Sequence, residues 1–531
     1  MKLTKYIRTT ALCALAAAIP LASCDTDELH DLNINPQALN EIDMNFLFTA
    51  AELGAASAGS SGDNRYIDWR TNIGFAAYAI QQLATAGGGI SPGDKYTDNV
   101  ESYNAPWEFI YGDQLKNLAE ILRQTGPGGY AEGKKKNTRE AARILRAFLF
   151  HRLTDYYGNI PYSQALQGIQ GIHKPAYDHQ QAIYTDLLKE LDEASAAISP
   201  SNPDEGFAAA DIIYEGDIAK WKKFGYSLML RLAMRVSNVD ATMAQTYVTK
   251  AIQGGVFTSN DDNAWVPMAL EPSEWTNQNG ISRAFAPGDG GQPTTLSKRL
   301  IDMLKGPDPA SAADDDPRLM IISGGVNGNT DPLAQEGMPN GLDQALLDDY
   351  LGTTGANQNE YFSHINTKML DDDDPYMLMN YAEVEFLQAE AIERGIGTVP
   401  GTAKEHFEAG VAAAIQMYTP FDPSLAVDGT VAVNYAQSLG YTDGAANALE
   451  MIGDQMWLSK FFNWWDAWAD WRRTGFPVLV PINYPGNVTG GTIPRKLRLP
   501  RHEVAVNAEN IAQGATLPDE PTTRVWWDGG N

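Results

Sequence analysis

Cysteine is nearly missing from these 531 residues: there are two, Cys13 and Cys24. Two thiols cannot build the disulfide framework of a small secreted fold, nor a Cys-based zinc site. Stability must then come from an apolar core, for which the length is ample. Positive charge is also short. Lys and Arg number 39 against 67 Asp and Glu, for a formal net charge of -28. So acidic a chain repels nucleic acid and anionic lipid, which excludes both as partners. The seven His form no HExxH or similar pairing, so zinc is unsupported. No glycine-rich phosphate loop of the Walker type is present. After the first two dozen residues, charge interrupts every apolar run within a few positions, so no later segment is long enough to span a bilayer. Strand-type alternation is scarce.

What the sequence does have begins at its start. Lys2, Lys5 and Arg8 precede an apolar run over 10–22 that closes on Leu21-Ala22-Ser23-Cys24. The run is too short to cross a membrane comfortably and reads as a cleaved export signal, residues 1–23. Its loss takes Cys13 with it and moves the charge from -28 to -31. Leu-Ala-Ser-Cys resembles the lipobox of bacterial lipoproteins, which makes Cys24 the expected lipid attachment point. One acyl chain holds only marginally, at about 0.8 kcal/mol per buried methylene, so several are needed for a stable anchor. Asp25, Asp27 and Glu28 directly follow and resemble the surface-export signal of lipoproteins in the Bacteroidota. Residues 24–45 are then the lipidated N-terminus and tether, and 46–531 the folded domain.

Helical periodicity fills that domain. In 138–157, Ala142, Leu145, Leu149 and Leu153 make one apolar stripe, with Thr138 as a cap and Gly158 and Pro161 as stops. Similar stripes predict helices over 179–198, 217–236, 376–394, 403–418 and 447–473. Gly- and Pro-rich stretches at 87–93, 126–133, 271–293 and 322–341 separate them as loops. Paired amphipathic helices each need neighbours to bury their faces. The fold class is therefore mainly α: tetratricopeptide-like helix pairs in a right-handed superhelix with long inserted loops.

Several motifs weigh more as structure than as chemistry. Trp457, Phe461, Trp464, Trp468 and Trp471 step by four, three, four and three, as a buried helical stripe does, although a Trp-rich face also suits sugar stacking. Arg472 and Arg473 at the end of that stretch are expected to pair with acids. Glu383 and Glu390 share a helix face, with Arg231 and Arg235 as plausible partners. Two carboxylates on one helix do not flank a glycosidic bond, so no catalytic residue is assigned. Asp314-Asp315-Asp316 and the run 371–374 lack the spaced pattern of a calcium loop and read as solvated turns before Pro317 and Pro375. No metal or cofactor is expected.

Five segments in order then point one way: DYYGNIPYSQAL (155–166), KWKKFGYSLMLRLAMRVS (220–237), YAEVEFLQAEAIERG (381–395), QMWLSKFFNWWDAWADWRRTGFP (455–477) and IPRKLRLPRHEVAVNAEN (493–510). Together they resemble the SusD/RagB family, nutrient-binding outer-membrane lipoproteins of the Bacteroidota, in its SusD-like branch. The resemblance implies a binding protein and no enzyme. It would sit on the outer face of the outer membrane, cap a SusC-like TonB-dependent transporter, and pass it oligosaccharides, or peptides in some branches. A lipid-anchored surface glycosidase and a helical scaffold without small ligand are the competing classes.

A sugar site needs an aromatic face off the helical stripes, beside polar groups. The stretch 265–293 qualifies best, with Trp265, Trp275, Asn277, Gln278, Arg283 and Phe285. Tyr96 and Tyr103 beside Asp94 and Asn99 follow, then Tyr66 and Trp69 near Arg65 and Asp68. Trp107, in a helical stretch, is expected in the core.

Overall fold

In the computed structural model, helices dominate the folded unit Met44–Asn531. The structure describes residues 42–56, 66–88, 92–273, 276–288 and 291–530; Cys24, Arg65 and Trp275 lie outside them. Helices longer than four residues are α1 Met44–Ala56, α2 Val100–Phe109, α3 Leu115–Thr125, α4 Lys136–Tyr157, α5 Gln180–Ala197, α6 Ile218–Arg235, α7 Ala241–Gly254, α8 Gly280–Phe285, α9 Lys298–Leu304, α10 Gln344–Leu351, α11 Tyr381–Glu393, α12 Ala403–Gln416, α13 Gly429–Ser438, α14 Ala448–Ser459, α15 Trp464–Thr474, α16 Arg501–Val506 and α17 Ala508–Gly514. A π-helical stretch, Asp68–Ala77, lies against α15. Four short strands make two antiparallel pairs: β1 Ala264–Val266 with β4 Tyr376–Met379, and β2 Ser323–Val326 with β3 Ser363–Ile365.

Consecutive helices pack on one another from α3 to α7 and again from α11 to α13, while α11 also meets α6 and α14. This is the predicted tetratricopeptide-like pairing. The caps are local. Asp217 accepts from Ala219 N at 2.9 Å and Lys220 N at 3.1 Å to open α6, and Thr402 and Glu405 form a reciprocal capping box on α12. Gly410 lets α12 approach α11, since a Cβ there would stand 2.7 Å from the Phe386 ring. The stripes read from the sequence are buried: Leu145, Leu149, Leu153, Ile183, Leu187, Leu191, Trp221, Phe224, Leu228 and Leu232 all face the main core, each contributing about 1.5–3 kcal/mol on the usual transfer scale.

Three local expectations are corrected. Thr138 does not cap α4; Asp204 from another loop accepts its N–H at 2.7 Å and its hydroxyl at 3.2 Å. The stretch 376–394 is not one helix, because 376–379 pair with β1 and Asn380 caps α11 through Glu383 N at 2.8 Å. The stretch 447–473 is two helices, with Phe462 in the left-handed region (φ 76°) between α14 and α15. A smaller apolar cluster of Ala84, Ala86, Met338, Leu347, Ala356 and Phe362 forms apart from the main core. The loops built on it carry the site.

Candidate functional site

The segment 294–297 runs between two others. Leu83 bridges Leu296, Ala84 N donates to Thr295 O at 3.1 Å, and on the far side Leu296 N donates to Ser363 O and Ile365 N to Thr294 O, both at 2.8 Å. This irregular ladder carries the loop after Ala86. One side chain locks it: Gln358 Oε1 accepts from Ala86 N at 2.8 Å and Thr85 Oγ1 at 3.2 Å, and its Nε2 donates to Thr295 Oγ1 at 3.0 Å. The opposite wall is α8. Asn279 caps it through Ile281 N at 2.8 Å and reaches back to the loop 371–374, its N–H donating to Asp372 O at 2.7 Å and its amide to Asp374 O at 2.9 Å. Phe285 at the end of α8 meets Trp464 edge-on, centroids 6.3 Å apart. The buried Trp-rich helix thus backs this wall.

Between these walls opens a cleft of about 910 Å³. Its lining is rich in amides: Gln292, Gln344, Asn357, Gln358 and Asn359, with Asp371 and Asp372 at one side and Phe285, Pro293 and Leu370 as apolar surface. Gln292 stands out. Its backbone N–H is fixed on Ala284 O at 2.9 Å. Its side chain is 3% exposed, yet neither Nε2 nor Oε1 has a partner in the protein. Leaving such a group unpaired costs about 1–3 kcal/mol, and Gln292 is one of the residues lining the cleft. Asp372 is raised above the ordinary carboxylate range by burial, with the Arg283 charge pulling the other way.

Elsewhere, three carboxylates converge in the core: Glu383, Asp466 and Asp470. Cations occupy the space between them. Arg231 grips Glu383 with two bonds, at 2.6 and 2.7 Å, Arg235 bonds Asp466 at 2.6 Å, and Lys460 contacts Glu383 at 3.3 Å as well as Asp466 and Asp470. Burial alone would raise the Asp466 carboxyl, but Arg231, Lys460 and Arg235 outweigh it and hold it low. This is an ion-pair cluster joining α6, α11 and α15, already neutralised without a metal. Glu390 is likewise held by Arg473 at 2.6 Å. Glu383 is fully buried, and Glu390 lines a crevice of about 10 Å³, too small for a sugar. Arg235 pairs with Asp466 and Asp470, not with the glutamates, and Arg472 donates to the Asp155 and Arg495 carbonyls, not to an acid. Asp316 is also no solvated turn: it is buried against Arg318 at 2.6 Å.

A family model described as "Starch-binding associating with outer membrane", SusD-like, matches residues 36–500. This chain belongs to the SusD-like family. A solved chitin-binding protein is 30% identical, with a TM-score of 0.76, covering 92% of this chain and 100% of that one. A SusD homologue from Bacteroides uniformis (24% identity, TM-score 0.73, 92% and 100% covered) and a chitin-binding SusD homologue from Flavobacterium johnsoniae (24%, 0.72, 92% and 99%) share the fold. No curated protein sequence matches the chain. Among the described residues, no helix is long and apolar enough to cross a membrane.

In this SusD-like chain the residues picked out from the sequence do not gather in one place. Trp265 lines a different cavity, of about 490 Å³, with Asn260, Tyr381 and Gln416, its ring edge-on to Phe421 at 5.7 Å. Asn277 is half-buried; its carbonyl accepts from Ala269 N at 2.8 Å and its side chain from Thr276 Oγ1 at 2.9 Å. Arg283 is buried on α8, donating to Gln278. Tyr96 is 2% exposed, with φ 53° and its hydroxyl accepting from Ile482 N at 3.4 Å. Tyr103 is buried in α2, and burial pushes its hydroxyl up to about 12; its edge lines a recess of about 190 Å³ beside Arg498. Tyr66 lies tilted against Phe109, centroids 4.7 Å apart, and Arg70 lies over the Trp69 ring at 4.1 Å. Asp94 and Asp68 are buried hydrogen-bond acceptors, for Gly341 N and for the Tyr376 hydroxyl, each at 2.8 Å. Asn99 caps α2. Of the described residues named in the loop 265–293, Phe285 alone is among those lining the large cleft. Gln292, from the same stretch, went unremarked because nothing in a sequence marks an amide as buried and unpaired. Trp107 is in the core, as expected.

Proposed function

We propose that this protein is a surface lipoprotein of the outer membrane, attached through Cys24, that holds an oligosaccharide in the 910 Å³ cleft and delivers it unaltered to a SusC-like TonB-dependent transporter. The observation that carries the reading is Gln292: a buried amide with both polar atoms unpaired, lining a cleft whose other polar groups suit sugar hydroxyls and acetamido groups. The 30% identical relative is named for chitin binding, which favours an N-acetylglucosamine oligomer as the ligand to try first. A general acid and base are not needed. The sequence supplies the address: the lipobox at 21–24 and the acids after it.

Measurements on whole cells and on purified protein test this. Whole cells carrying the native chain should retain a labelled N-acetylglucosamine oligomer, expose the protein to added protease, and copurify it with a large outer-membrane barrel. Cys24→Ser should release it from the membrane. Prolonged incubation of purified protein with the oligomer should return it uncleaved. Release of shorter products would replace this reading with a hydrolase, and binding of peptides alone would move the ligand to that class.

A further inference from the structure

We propose that the cleft sorts glycans by charge, admitting neutral and amine-bearing units and turning away carboxylate- or sulfate-bearing ones, with Asp371 and Asp372 setting the sign. This rests on the reading of the cleft as a sugar site and adds the class of sugar. Among the described residues that line the cleft there is no Lys, Arg or His, whereas two carboxylates do line it. Asp371 is exposed and Asp372 half-buried. An acidic sugar entering here would lose water beside like charge with no counter-charge to meet it. Recognition of carboxylate or sulfate groups draws on Arg or Lys forks, and the guanidinium that acts on Asp372, Arg283, is buried, bonded to Gln278 and not part of the lining. Its charge offsets part of one carboxylate.

The acids are also held in place. The Asp372 carbonyl accepts from Asn279 N at 2.7 Å, the Asp374 carbonyl accepts from the Asn279 amide at 2.9 Å, and Asp371 N donates to the Asp374 carboxylate at 2.8 Å. The loop is pinned to α8 and cannot easily swing its charges away. The remaining polar lining, five amides including Gln292 and the hydroxyl residues Ser282, Thr294 and Thr367, is uncharged and suits neutral groups.

One sugar backbone in three charge states tests this by calorimetry: the N-acetylglucosamine hexamer, its de-N-acetylated form and its O-carboxymethylated form, each at low and physiological salt. The native protein should bind the carboxymethylated form at least about tenfold more weakly than the neutral one at low salt, a gap that shrinks as salt is added. In Asp371→Asn/Asp372→Asn that gap should close to within about threefold, and the amine form should lose about five- to tenfold relative to the neutral form measured on the same variant. Both side chains reach solvent, so the variant should keep its fold, checked by its melting curve. Equal binding of neutral and anionic forms by the native protein, or a gap that survives in the variant, would overturn the proposal. If no form binds, the sugar-site reading itself fails and takes this one with it.

Discussion

Gln292 shows what a single side chain can do to both stability and binding. Its amide is buried without partners, so the folded protein bears that cost, which a sugar bound as proposed would relieve. Gln292→Leu, similar in volume and without polar atoms, should raise unfolding stability by about 1 kcal/mol in urea titrations while weakening oligosaccharide binding roughly tenfold. A variant both less stable and equally tight would contradict this. Asp68 makes a pH prediction. Burial raises its carboxyl to about 6, against Arg152, Tyr376 and Asn72, which pull it down. Unfolded, it titrates near ~3.9. Between those values the folded state holds the extra proton, so its contribution is full below about 4 and is lost as pH rises through about 6. Asp68→Asn needs no proton, and its stability relative to the native protein should therefore grow between pH 4.5 and 7.5, by about 2 kcal/mol; a flat difference would refute the assignment. The sequence could show that Tyr96, Tyr103 and Trp265 sit among polar neighbours. It could not show that Tyr96 and Tyr103 turn inward, because their burial is set by segments hundreds of residues away, such as 482–488.

At the scale of elements, helices were the most legible part. The stripes of α4, α5, α6 and α12 were readable because 3.6-residue periodicity is a local property. The break between α14 and α15 was not, since the stripe of Trp and Phe runs on in step across it. What fixes the break is tertiary: Lys460 turns into the cluster of Glu383, Asp466 and Asp470, and Asn72 accepts from Trp465 N at 3.0 Å. Buried pairs of this sort add less as intact units than they cost when halved. Glu383→Ala removes the two-bond partner of Arg231, leaving it Asp466 at 3.4 Å and the Leu378 carbonyl at 3.2 Å, weakens the hold on Lys460, and should lower unfolding stability by about 3 kcal/mol by chemical denaturation. Oligosaccharide affinity of the fraction that stays folded should be unchanged, because the cluster does not line the cleft. Loss of binding without loss of stability would instead make Glu383 part of the site.

For the whole molecule, family and fold followed from five ordered segments, and the family model and solved relatives agree with them. The cleft did not follow, because it is assembled from 87–88, 282–287, 291–294, Gln344, 356–359 and 367–372, brought together by hydrogen bonds between loops that carry no sequence period. Gln358 alone joins two of those segments to the ladder. Everything proposed for this molecule turns on where the sugar sits. A crystal structure of the protein soaked with an N-acetylglucosamine oligomer answers that directly. Sugar density is expected in the large cleft, with a ring hydroxyl or acetamido group within hydrogen-bond distance of the Gln292 amide. Sugar bound instead against Trp265 in the 490 Å³ cavity, with the large cleft empty, would contradict it.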